Sequence, residues 1–189
     1  MNKTFVIEHL EPTVGKWCKI EYANISKIVG KNNLMFTNLK KQTPFLKKLG
    51  KTSNKSVSKL NLNNVCILDP EAKEILTPKD AKKFDYFIFG GILGDYPPKK
   101  RTKQELTKFM PNVEKRNIGK RQFPTDNAVK VVQEIINGKK FQDLKFKYKL
   151  TIRTSKFAEV TLPFNYLLVN NKPFIQDKIV TFLKRKRGL

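Results

Sequence analysis

Two four-residue segments leave little freedom in how this chain folds, because Val65-Cys66-Ile67-Leu68 and Tyr86-Phe87-Ile88-Phe89 have no charged or strongly polar side to turn toward water. Strands of that kind sit inside a parallel sheet with both faces covered. The first stops at Asp69-Pro70 and the second at Gly90-Gly91. Thr4-Phe5-Val6-Ile7 reads as a third strand, stopping at Glu8-His9. If all three run parallel, these polar or flexible ends meet on one rim, and open α/β sheets bind their ligands beyond that rim.

The connecting segments agree with an α/β class. After Pro12, the apolar positions Val14, Trp17, Cys18, Ile25, Ile28 and Val29 fall near helical spacing, with Gly30 as a stop. Leu34-Met35-Phe36 reads as a short strand, and residues 44–50 read as a brief helix closed by glycine. The polar run Lys51-Thr52-Ser53-Asn54-Lys55-Ser56 reads as a mobile surface loop or a helix edge. Thr77-Pro78 opens another helix, with Thr77 as N-cap and proline at the first helical position. Thr125-Asp126 is expected to cap an amphipathic helix carrying Ala128, Val131, Val132, Ile135 and Ile136, closed by Asn137-Gly138. Asp126 reads there as a charge favoured by the helix dipole. Beyond this helix the pattern turns extended at 144–149 and 159–162, with a turn at Asn170-Asn171 and a last helix around Ile179 to Leu183.

Charge bounds the partners. The chain carries a formal +23 with a pI near 10.1, a surplus that attracts polyanions, nucleic acid first among them. From Tyr22 to Leu68 there is no Asp or Glu, while Lys27, Lys31, Lys40, Lys41, Lys47, Lys48, Lys51, Lys55 and Lys59 supply a basic face. Lysine and asparagine richness of the kind an AT-biased genome produces is the competing explanation. A second basic cluster is Lys184-Arg185-Lys186-Arg187, with a solvated tail as its alternative. No run approaches the ~18 apolar residues of a membrane span, and Met1-Asn2-Lys3-Thr4 leads straight into a strand, so a cytoplasmic protein without membrane association is expected. Cys18 and Cys66 have no CxxC spacing and read as reduced core residues.

Several chemistries lack their residues. A single histidine, His9, rules out a multi-histidine metal site, and no metal is expected. Neither a GxxxxGK[ST] phosphate loop nor a GxGxxG turn follows a strand. Gly90-Gly91-Ile92-Leu93-Gly94-Asp95 is a different object: glycines directly after a buried strand let main-chain amides approach a ligand. A plain chain turn made by glycines and prolines remains the alternative.

The run Phe84-Asp85-Tyr86-Phe87-Ile88-Phe89-Gly90-Gly91-Ile92-Leu93-Gly94-Asp95-Tyr96-Pro97-Pro98, followed by Arg101-Thr102, resembles the arginine-methyltransferase branch of the SPOUT superfamily. The likeness extends to Val6-Ile7-Glu8-His9, to Cys66-Ile67-Leu68-Asp69-Pro70, and to Ile118-Gly119 through Gln122 to Thr125-Asp126. It implies a mostly parallel sheet flanked by helices with a deep C-terminal trefoil knot, binding S-adenosylmethionine. The whole of 1–189 is then one domain: an α/β half at about 1–82, a knotted cofactor-binding part at about 83–140, and an extension at about 141–189. Carried over by position, the cofactor-binding residues are Asp69, Pro70, Gly90, Gly91, Gly94, Arg101, Arg116, Ile118, Gly119, Phe123 and Thr125. Ile118 and Phe123 offer adenine an apolar slot, and Arg101 or Arg116 would answer the methionine carboxylate.

Methyl transfer asks mainly for placement of an acceptor lone pair and for a base, and Asp95 and Glu8 are the candidate catalytic carboxylates. Glu8 and His9 also suit a strand-end hydrogen bond without a catalytic part. Tyr96 departs from relatives that carry histidine at that place. The resemblance implies a ribosome-linked acceptor, either an arginine of a ribosomal protein or an RNA nucleotide, and leans to a monomer. The strong positive charge would repel a free arginine-rich protein but not one carried on RNA. A non-catalytic RNA- or ribosome-binding protein that kept the fold is the other function class.

Overall fold

In the computed structural model, which describes residues 3–41 and 43–186, the doubly apolar segments are interior strands of a parallel sheet. Its strands are β1 (Thr4–His9), β2 (Leu34–Thr37), β3 (Lys51–Thr52), β4 (Val65–Leu68), β5 (Tyr86–Gly91) and β6 (Glu114–Arg116). They lie in the order β3-β2-β1-β5-β4-β6, and every neighbouring pair is parallel. The register sets Ile7 beside Phe89 and Ile67 beside Ile88, so β1, β4 and β5 end close to one level.

Alternate residues of these strands feed two cores. Phe5, Ile7, Cys66, Leu68, Phe87 and Phe89 point to one face, where helices α1 (Lys16–Val29) and α5 (Thr125–Ile136) cover them with Tyr22, Ile25, Val129 and Val132. Val6, Val65, Ile67 and Ile88 point to the other, covered by Val57, Leu62, Leu106, Met110 and Val113. That cover comes from single turns and irregular segments, with Leu106 directly after the short helix α4 (Arg101–Glu105), so the second layer is thinner than the first. The short helices α2 (Pro44–Leu49) and α3 (Pro78–Ala81) start as expected, with Thr43 and Thr77 capping amides of Leu46 and Asp80.

Three local expectations change. The polar run at 51–56 begins with β3, which pairs with Met35 and Phe36 at the sheet edge rather than remaining a loop. Thr125 is the first helical residue of α5 after Pro124, with no side-chain cap. Asp126 is not a surface charge: it is 3% exposed and accepts from Asn24 Nδ2 at 2.8 Å.

The C-terminal region forms a separate antiparallel sheet, β7 (Phe146–Arg153), β8 (Glu159–Val169) and β9 (Lys172–Pro173), followed by α6 (Asp177–Lys186). Asn170 and Asn171 both take positive φ between β8 and β9, as a two-residue hairpin turn demands. Ile152, Leu162 and Tyr166 form its core with Trp17 of α1 and Val180 and Leu183 of α6. Asn127 of α5 clamps the unit by accepting from the Leu167 amide at 3.0 Å and donating to Phe174 O at 2.9 Å.

Candidate active site

Beyond the carboxyl ends of β4, β5 and β6 the chain leaves a cavity of about 180 Å³. Its apolar wall is Leu68, Phe89, Ile92, Ile118, Phe123 and Ala128. Polar groups come from the loops after those strands and from the start of α5, where Thr125 stands.

Nine of the eleven positions carried over for the cofactor line this cavity: Asp69, Pro70, Gly90, Gly94, Arg101, Ile118, Gly119, Phe123 and Thr125. Each loop is held by hydrogen bonds that the sequence alone did not show. Asp69 accepts from the Glu71 amide at 2.9 Å and from Thr107 Oγ1 at 2.7 Å, so it shapes its own loop. Asn117 donates to Ala72 O and Glu74 O at 3.0 Å and accepts from the Gly119 amide at 3.0 Å, tying the loop after β6 to the loop after β4. Gly119 needs to be glycine, because its φ is +94° and a Cβ would stand 2.9 Å from the ring of Phe141.

The other two positions stand elsewhere. Gly91 is turned toward the α1 side, where a Cβ would meet Tyr22 Oη at 2.6 Å and Ile7 Cγ2 at 2.9 Å, so it serves close packing of β5 on α1. Arg116 is 7% exposed and lies over Phe84, with Glu114 at 2.8 Å, Glu74 at 3.2 Å and Asp80 at 3.6 Å. It fastens β6 to α3, and its guanidinium is taken up by these acids rather than offered to a carboxylate in the cavity.

The two candidate bases separate as well. Asp95 lines the cavity, a quarter exposed, with Lys99 Nζ at 3.3 Å and Arg101 Nη1 at 4.0 Å. Glu8 does not line it. Its Oε2 accepts from Thr37 Oγ1 and from the Val57 amide, and the residue is 2% exposed, spent on closing the loop that covers β1. His9 beside it is buried against Tyr22 Oη at 2.8 Å, and burial pulls its pKa below the ordinary imidazole value.

Arg101 sits among three carboxylates at the mouth. Glu105 binds it at 2.7 Å through Nε and Glu11 at 2.8 Å through Nη1, with Asp95 behind. Glu105 first and then Glu11 push its pKa above the already high guanidinium value. Glu11 Oε1 also accepts from the Leu93 amide at 2.9 Å, which pins the loop after β5. Lining residues absent from the carried-over positions include Lys100, Lys120, Arg121 and Gln122. Lys100 is engaged with Glu71 at 2.9 Å and Lys120 with Pro70 O and Ala72 O, whereas Gln122 Nε2 donates to Asp95 O at 2.8 Å. For Lys120, Arg121 and Gln122 the one signal in the sequence is position, inside the segment from Ile118 to Thr125.

Comparison with known proteins says what kind of cavity this is. Residues 4–188 match the family model described as protein arginine N-methyltransferase SFM1-like. Over 200 residues the chain is 36% identical to protein arginine N-methyltransferase SFM1 of Saccharomyces cerevisiae, across 96% of this chain and 94% of the yeast protein. The crystal structure of the yeast arginine methyltransferase SFM1 complexed with SAM has a TM-score of 0.91 at 35% identity, covering 100% of this chain and 93% of that one. The dual specific Trm10 from Thermococcus kodakaraensis shares the fold, with a TM-score of 0.60 at 18% identity over 75% of this chain and 96% of its own. Fold and site thus define an S-adenosylmethionine-dependent methyltransferase with a SPOUT-type fold. Within that class, the chain belongs to the SFM1-like family of protein arginine N-methyltransferases.

Proposed function

We propose that this enzyme transfers a methyl group from S-adenosylmethionine, held in the cavity at the ends of β4, β5 and β6, to a guanidine nitrogen of an arginine in a ribosome-linked protein. The observation that carries the reading is the join of two environments: an apolar slot for an adenosine and, at its mouth, carboxylates that already surround one guanidinium. The slot fits the cofactor. Ile118 and Phe123 suit a flat aromatic base.

When bound, S-adenosylmethionine supplies an electrophilic methyl carbon on a sulfonium. The residues of the chain do the rest. Asp95 orients the acceptor guanidine by charge-assisted hydrogen bonds and takes the proton that the nitrogen gives up as its lone pair forms the new C–N bond. Glu8 has no part in this arrangement, because its carboxylate is committed beneath the sheet rim. The reading includes the trefoil knot through the cofactor loops, a monomeric enzyme, and a cytoplasmic setting in which the buried thiols Cys18 and Cys66 remain free.

The charge of +23 supports an acceptor presented on RNA, since a free basic protein would be repelled. The lysines of α2 and β3 lie along the sheet edge opposite to β6, remote in the strand order from the cavity. Of the C-terminal basic cluster, Lys184 and Arg185 are exposed on α6, and Arg187 lies outside the described residues. Labelled cofactor incubated with the enzyme and methyl-poor ribosomal particles should place label in arginine of the protein fraction. Label in RNA would move the acceptor to a nucleotide, and label in neither fraction would refute a ribosome-linked acceptor.

A further inference from the structure

The β7–β8 hairpin carries basic and aromatic residues that neither fold nor methyl transfer accounts for. An ordinary half-buried strand alternates, but β7 shows Lys147, Tyr148 and Lys149 exposed in succession. The cause is a bulge: the register shifts between Tyr148 and Leu150, and Lys149 takes a left-handed φ of 58°. Tyr148 carries the Arg121 guanidinium 4.3 Å from its ring centre, with Lys149 Nζ at 5.6 Å. At the hairpin tip Phe157 is 90% exposed, with Lys156 Nζ 5.5 Å from its ring. Among the described residues, no ion pair engages Arg121, Lys147, Lys149 or Lys156.

Lysines on an edge strand guard against strand addition, and β7 is an edge of its sheet. That role asks for charge alone. It gives no reason to display a phenylalanine at a loop tip or to hold an arginine over a tyrosine ring. Unpaired cations interleaved with exposed π faces are the chemistry of single-stranded nucleic acid recognition, where the cations take phosphates and the rings take bases.

The hairpin is also joined to the cavity. Arg121 lines the cavity and stacks on Tyr148. The Asn165 amide of β8 donates to Gln122 O at 2.8 Å, and a Cβ on Gly94 would collide with the ring of Phe164. A strand lying along β7 therefore reaches Arg121, a residue that lines the cavity.

We propose that the exposed side of β7, with Arg121 and the hairpin tip, is a docking surface for single-stranded RNA that presents the acceptor to the cavity. Where the acceptor stands rests on the methyl-transfer reading; the RNA contact does not.

The test is fluorescence anisotropy with a labelled single-stranded RNA of about a dozen nucleotides, across a salt series. Each phosphate contact to a single strand contributes about 0.7 to the slope of log affinity against log salt, so Lys147→Ala/Lys149→Ala should lower the slope by about 1.4. Tyr148→Ala should weaken binding roughly tenfold through lost stacking. Lys47→Ala/Lys48→Ala on α2 makes the same charge change at the far sheet edge and should leave the slope nearly unchanged. Calorimetry with S-adenosylmethionine on each hairpin variant shows that the fold is kept, and a failure of cofactor binding in the wild type would strike the methyl-transfer reading alone. Equal losses from the two lysine pairs would overturn the hairpin assignment. Indifference to Tyr148→Ala, with polyphosphate competing as well as RNA, would overturn the nucleic acid.

Discussion

Glu21→Gln should remove most of a stability loss that this protein suffers as pH rises toward neutrality. Glu21 of α1 is 5% exposed, accepts from Trp17 Nε1 at 2.8 Å, and stands beside the buried Asp126 of α5. Burial first, and the neighbouring Asp126 charge second, push its pKa from 4.5 up to about 8. A carboxyl raised in the folded state binds its proton more tightly there than in the unfolded chain. Its contribution is therefore complete below pH 4.5 and is lost as pH rises toward 8. The loss amounts to roughly 3 kcal/mol over two pH units inside that window. Glutamine keeps the acceptor for Trp17 and needs no proton. Urea unfolding of both proteins at about pH 5.5 and 7.5 should show the variant gaining ~3 kcal/mol on the wild type between the two conditions. His9, which destabilises as pH falls below 6.5 because burial opposes its charging, is common to both proteins and cancels in the difference. Parallel pH dependences would show that Glu21 is ionised in the folded protein and would sink this account of it.

Gly90→Val directs a side chain at Ile92 and Thr102, both cavity walls, and should abolish cofactor binding by calorimetry while thermal unfolding stays near the wild-type temperature. Gly91→Ala, one residue on, should do the reverse: its Cβ meets Tyr22 Oη and the Glu8 carbonyl, costing about 1–3 kcal/mol of stability. Asp95→Asn should lower kcat by about a hundredfold or more with cofactor affinity retained, and unchanged turnover would remove Asp95 from the reaction. Arg116→Ala should cost roughly 2 kcal/mol in denaturant unfolding, through the lost hydrogen bond to Glu114 and ion pairs with Glu74 and Asp80, and leave the KM for cofactor where it was.

What the sequence made legible follows from hydrophobic pattern. The residues of β4 and β5 have to be buried on both faces, so a parallel sheet and a rim shared with β1 could be anticipated, and Gly30 and Gly138 close their helices as expected, both with positive φ. β6 could not be read, because Glu114-Lys115-Arg116 has no apolar alternation; its backbone pairing with Cys66, Ile67 and Leu68 alone makes it a strand. The same limit applies within the site. Position along the chain found the cavity loops, but Arg116 and Gly91 project away from the cavity, and which way a residue projects depends on strand register and tertiary partners. Glu8 shows this most plainly: a carboxylate at a strand end reads as a base until Thr37 and the Val57 amide are seen to occupy it.

Those tertiary partners also set a schedule. The parallel sheet is complete once Arg116 has been made, and the last cavity-lining residue is Ala128. Yet the loops around the cavity lean on Phe141, Phe164 and the amide of Asn165, which emerge later in synthesis. A nascent chain can thus bury its sheet while its cofactor loops still lack their backing. The sheet can form from the first two thirds of the chain, but the cofactor loops gain their full backing only with the hairpin.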